Sequence, residues 1–164
     1  MQASSGAILA EAKRLSRSEP ELAALLNRLL AAGSRDLAVK MIAFDLAGSS
    51  LRSGFATNLN VVREETDLTL DAWSAAALRS LTSLSFIRKP VWSRKMRLPA
   101  GRAIRISYKA RYRLGSAGTL DVSILQFGLV RNGAAYIFTY TTLPKLSARY
   151  RPVFERSARS LRWG

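Results

Sequence analysis

The stretch "RAIRISYKARYRL", residues 102–114, decides how the rest of the chain is read, because it carries Arg102, Arg105, Lys109, Arg111 and Arg113 without one acid. A run of this kind can be a nucleic-acid grip or a β-strand. Successive strand side chains point to opposite faces, so a strand would put Ile104, Ile106, Tyr108, Ala110 and Tyr112 on one face and Arg105, Lys109, Arg111 and Arg113 on the other. The sustained alternation favours the strand. It also separates both tyrosines from the cations, whereas aromatic residues that stack on bases sit among the cations. Nucleic acid is therefore the disfavoured partner.

Outward from this strand, "FIRKPVWSRKMRL" (86–98), "TLDVSILQFGLV" (119–130) and "AAYIFTYTT" (134–142) are also strand-like, with turns at "PAG", "GSAG" and "RNG". Together they predict a four-stranded meander. Upstream, "DLTLDAWSAAALRSLTSL" (67–84) reads as a helix with Thr69 as N-cap and Asp71 near the positive end of the dipole. Trp73, Ala77, Leu81 and Leu84 fall along its apolar side. Before it, "RDLAVKMIAFDLA" and "GFATNLNVVRE" flank the turn-forming "GSSLRSG" and suggest an antiparallel pair. Asn58 and Asn60 share one face of the second strand, either as hydrogen-bonded edge residues or as part of a ligand surface.

Residues 3–32 read as two helices, the second opening at Ser18 with Pro20 in its first turn and stopping at Gly33. At the other end, Tyr150, Phe154, Ala158 and Leu161 share one helical face, and Pro152 should start or kink that helix. The expectation is an α+β fold: an α/β/α sandwich around a central, mainly antiparallel sheet. It occupies residues 35–164, with 1–34 a helical segment packed on it, in a single domain. Its core should include Ile104, Ile106, Tyr108, Val122, Ile124, Tyr136, Phe138, Phe154 and Leu161.

Composition agrees with a globular domain: 164 residues, 48% hydrophobic and 23% charged. The net charge of +15, from 26 Lys and Arg against 11 Asp and Glu, would attract nucleic acid, anionic lipid or acidic polymers without choosing among them. The excess is uneven, since no Asp or Glu occurs between Ala72 and Leu120. The candidate anionic-partner surface is Arg105, Lys109, Arg111 and Arg113, joined by Arg94, Lys95 and Arg97 from the preceding strand. Such cations must be exposed, paired with acids such as Asp121, or covered by an acidic partner.

With neither His nor Cys, the chain lacks the commonest general base, the thiol nucleophile and the usual transition-metal ligands. Glu64, Glu65, Asp67 and Asp71 lack EF-hand spacing and read as solvation and helix capping. There is no phosphate loop and no nucleophile elbow. The expectation is a protein without catalytic residues, metal or cofactor. No apolar run approaches the roughly 20 residues needed to span a bilayer.

The segment "GLVRNGAAYIFTYTTLPKLSARYRPVFERSARSLRW" runs strand, "NG" turn, strand, "Y-x-P-x-F-E", then "S-L-R", and "FATNLNVVREETDLTLDAWSAAAL" runs strand, acidic loop, helix. Across residues 35–163 this pattern resembles the PsbP-like family, which includes LpqN-type lipoproteins, DcrB-type periplasmic proteins and Ran-binding relatives. The resemblance implies a non-enzymatic binding or assembly module. Asn58, Asn60, Tyr150, Pro152 and Phe154 match its pattern, with no catalytic role to inherit. It also implies an extracytoplasmic setting, secreted or lipid-anchored, with the signal absent from this sequence, and a protein or anionic surface as partner. The alternative is a cytoplasmic nucleic-acid or polyanion binder using the basic sheet face.

Overall fold

The computed structural model describes residues 37–46, 54–113 and 118–163. The chain divides into two compact units, Met1–Ala38 and Val39–Gly164. All the described residues belong to the second unit, apart from Leu37 and Ala38. The helices expected over residues 3–32 lie outside the described residues.

Six strands form one sheet: β1 (Leu37–Phe44), β2 (Asn58–Glu65), β3 (Ile87–Leu98), β4 (Gly101–Arg113), β5 (Thr119–Arg131) and β6 (Ala134–Thr142). Their order is β1-β2-β6-β5-β4-β3. The four C-terminal strands are the expected meander, each paired antiparallel with the next. The earlier strand β2 joins the far side of β6, also antiparallel. The β5–β6 turn places Asn132 and Gly133 at φ 50° and 71°, a left-handed pair that Asn-Gly adopts readily. In β3, Arg88 and Trp92 are four positions apart while their partners Lys109 and Ser107 are two apart. That bulge holds Pro90 on an edge strand, where its missing N–H interrupts least.

Two helices complete the described residues. The first, α1, spans Leu70–Ser83, and the Thr69 side chain accepts a hydrogen bond from Ala72 N at 3.3 Å, the expected N-cap. The second, α2, spans Ser147–Arg159 after a 3-10 turn at Pro144–Leu146. Pro152 lies inside α2 and does not start it. The helix begins five residues earlier, within reach of the turn that ends β6.

Strand alternation assigns the helices to opposite faces. Lys95 pairs with Asp71 of α1, and Gly128 lies beneath Trp73 of α1. On the other face Arg105 pairs with Glu155 of α2, and the Tyr140 hydroxyl donates to Ser157 Oγ at 2.9 Å. The α1 side buries Ile104, Ile106, Tyr108, Val122 and Ile124; the α2 side buries Ala103, Leu125, Phe127, Leu129 and Tyr140 under Tyr150, Phe154 and Ala158. Phe138 and Leu161 of the expected core are half-buried against that second cluster, and Tyr136 is half-buried with its ring against Trp163.

Trp73 sits where only glycine lets it. A Cβ on Gly128 would fall 2.4 Å from Trp73 Cζ3 and 3.1 Å from Ile104 Cγ2. The indole cannot simply swing aside, since its Nε1 donates to Glu64 Oε2 at 3.2 Å. Overpacking of this kind costs about 1–3 kcal/mol. Gly128→Ala should therefore lower the free energy of unfolding by that amount in urea denaturation, with the slope of the transition unchanged.

Candidate anion-binding site

On the α2 face the strand registers align side chains in rows across the sheet. One row is Arg88, Lys109, Ser123 and Thr142; the next is Trp92, Ser107, Leu125 and Tyr140; the next is Arg94, Arg105, Phe127 and Phe138. Polar rows thus give way to apolar ones along the strands. The row of Arg105 lies at the change.

Arg105 is only 6% exposed. Its Nη2 lies 3.2 Å from Glu155 Oε1, and Arg151, one turn earlier on α2, shares that oxygen at 3.7 Å. The Nε of Arg105 is buried with no hydrogen-bond partner among the described residues. Burial pulls Arg105 below the ordinary arginine pKa; Glu155 opposes this, while Arg151 and Arg94 add to it. Arginine nevertheless stays protonated in proteins. The result is a fixed positive charge with one donor unused.

Beside it a cavity of about 530 Å³ opens between the sheet and the first turns of α2, a size ordinary for small-ligand pockets. Arg88, Lys89, Arg105, Lys109 and Arg151 supply its cations, and no acid lines it among the described residues. Ser107, Ser123, Thr142 and Ser147 add hydroxyls, and Trp92 stands at the edge, 67% exposed. Ser147 and Ala148 bring the first turn of α2 to the cavity, and the residue before it, Leu146, makes no side-chain cap. A helix start carries partial positive charge, although the 3-10 turn before this one already engages the Ser147 N–H, which bonds Pro144 O.

The seven cations expected as one surface are divided by the alternation that defines β4. Arg94, Arg105, Lys109, Arg111 and Arg113 fall on the α2 face. Lys95 and Arg97 fall on the α1 face, where Lys95 Nζ lies 3.0 Å from Asp71 Oδ1 and Arg102 lies 3.6 Å from Oδ2. Arg111 is committed to Asp121 through two 2.6 Å hydrogen bonds, which hold the Asp121 carboxyl below its ordinary pKa, with Arg88 and Lys109 contributing. Lys109 and Arg113 are exposed. Asn58 and Asn60 lie on the opposite face, in an interior strand and not at an edge; Asn58 is buried and donates to Ala56 O at 3.1 Å.

Of the residues matched by the family pattern, Phe154 is core, Tyr150 donates its hydroxyl to Asp45, and Pro152 is exposed. Among the acids before α1 and in its first turn, Glu64 accepts from Trp73, Glu65 pairs with Arg63, and Asp71 pairs with Lys95. The residues that sequence reasoning passed over are Glu155, Arg151, Trp92, Ser107 and Ser123. One signal was present: Glu155 is the only acid after Asp121, on the helical segment that supplies the core face.

No family model matches the chain, and no curated protein matches it in sequence. Among solved structures it is similar to PA94 of Pseudomonas aeruginosa, a protein of unknown function put forward as a regulator. The TM-score is 0.62 at 17% identity, over 81% of this chain and 88% of that one. At this identity the likeness supports the fold alone.

Removing one member of a buried ion pair leaves an uncompensated charge, whereas replacing both members with apolar residues of similar volume is often neutral. Glu155→Ala should therefore destabilise the domain by about 3 kcal/mol, and the Arg105→Met/Glu155→Met double variant should change stability by less than about 1 kcal/mol. Denaturant unfolding of the two variants checks the contrast.

Proposed function

We propose that the protein is a non-enzymatic binding module that holds an anionic group of its partner in the cavity under the start of α2. The buried guanidinium of Arg105 beside that cavity carries this reading. A buried donor without a partner costs roughly 1–3 kcal/mol, and the residue that carries it lines a space ringed by cations. An oxyanion beside the guanidinium would reduce the repulsion that Arg151 and Arg94 exert on Arg105.

The absence of His and Cys from the sequence supports binding without turnover. The carboxylate beside the cavity, Glu155, is engaged by two arginines, Arg105 at 3.2 Å and Arg151 at 3.7 Å. The resemblance to the PsbP-like family supports the same reading and an extracytoplasmic setting. A signal peptide or lipid-attachment motif in the coding sequence upstream tests the setting.

The cavity reading differs from a generally sticky basic surface in its residue dependence. Lys89 and Lys109 are exposed cavity residues that make no ion pair among the described residues. The Lys89→Glu/Lys109→Glu double variant should lose anion binding by at least about tenfold, well beyond the effect of reversing Arg79 and Arg97, which lie outside the cavity. Its thermal midpoint should stay within a few degrees, as for surface substitutions generally. Isothermal titration near physiological salt checks this, because weak nonspecific binding to a basic protein falls away there.

A further inference from the structure

We propose that the cavity takes a phosphomonoester carried on a planar ring, the chemical class of a nucleoside monophosphate. Arg105, Lys109 and the Ser107 and Ser123 hydroxyls hold the phosphate, and the ring lies against Trp92. This rests on the reading of the cavity as an anion site and adds which anion it fits.

Charge indicates the headgroup. Five cations line the cavity and Glu155 is the acid that touches them. With Glu155 balancing one, a carboxylate would still leave three charges unmatched, whereas a dianionic phosphomonoester leaves two. Donor geometry points the same way. Arg105 approaches from the floor, Lys109 and Ser123 face each other across β4 and β5, and Ser107 lies one row away. Donors spread over several directions suit a tetrahedral group with three free oxygens better than a flat carboxylate.

The hydroxyls are not equivalent. Thr142 is bonded to Thr57 at 2.8 Å, and Ser147 donates to Pro144 O at 2.8 Å. Ser107 and Ser123 make no side-chain hydrogen bond within the described residues. The free hydroxyls therefore belong to the same part of the floor as Arg105 and Lys109.

Trp92 supplies the second contact. Trp73 is buried under α1, and Trp163 packs against Tyr136 with Arg131 over its ring. Trp92 is 67% exposed and lies directly opposite Ser107 in the β3–β4 register. Rows on one sheet face are spaced by two residues, about 6.5–7 Å. The indole is thus one row from both Arg105 and Lys109, which suits a ligand whose ring and phosphate are separated by a sugar-sized spacer. Stacking on an exposed aromatic ring tolerates any base, so the site fixes the class of ligand and leaves the base open.

Titration calorimetry of the full chain with AMP, ribose 5-phosphate, inorganic phosphate and adenosine tests the proposal. AMP should bind at least about tenfold more tightly than ribose 5-phosphate or phosphate, and adenosine should not bind measurably. Trp92→Ala should erase the AMP advantage and leave phosphate binding within about twofold, while Lys109→Ala should weaken AMP and phosphate alike. Both residues are exposed, so both variants fold. If ribose 5-phosphate and phosphate bind and respond to Lys109→Ala but AMP is no tighter, or if the AMP advantage survives Trp92→Ala, the ring assignment is wrong and the anion site stands. If no phosphate compound responds to Lys109→Ala, both are overturned.

Discussion

The two-residue period of β4 is the constraint on which the rest of the domain depends. Once Ile104, Ile106, Tyr108 and Ala110 are committed to the α1 face, Arg105 must point to the other face. There it enters a layer that α2 closes. A guanidinium cannot be left alone in such a layer, and Glu155 is the acid on α2 that meets it. The position of α2 over the sheet is thereby fixed by charge as well as by its apolar stripe.

That stripe, Tyr150, Phe154 and Ala158, covers the apolar end of the face, where Phe127, Leu129 and Tyr140 lie. Toward Ser123 and Lys109 the sheet turns polar, and the first turns of α2 stand over the change with a cavity beneath them. The ion pair alone would be weak evidence for stability, because desolvation offsets much of its Coulombic gain. Its incompleteness is more informative. A fully structural arginine would have all its buried donors satisfied, whereas Arg105, which lines the cavity, leaves its Nε without a partner among the described residues.

Much of the fold was legible because it is written in local periods. Alternation in residues 102–113 defined both faces of β4, the Asn-Gly pair marked the β5–β6 turn, and Thr69 marked the start of α1. The insertion of β2 beside β6 was not legible, since it pairs residues more than about seventy positions apart at its far end. Of the two places open to Pro152, the start of α2 is excluded, because the helix begins at Ser147 and carries the proline inside it. The site was half legible. Alternation correctly put Arg105 with Lys109, Arg111 and Arg113, but it does not show what lies above a face, so the burial of Arg105 and the role of Glu155 could not be read. Treating Arg94, Lys95 and Arg97 as one group set aside the very alternation that had been applied to the neighbouring strand.

The most direct test of the account is to observe the Nε–H group of Arg105 itself. In a proton–nitrogen correlation spectrum of the arginine side chains, assigned by an Arg105→Lys variant, addition of inorganic phosphate should shift the Arg105 resonance and slow its exchange with solvent. The exposed Arg97 and Arg102, outside the cavity, should change little. An Arg105 signal that stays fixed while those of Arg97 and Arg102 move would contradict the account, and would leave the positive charge as a solvated surface with no site beneath α2.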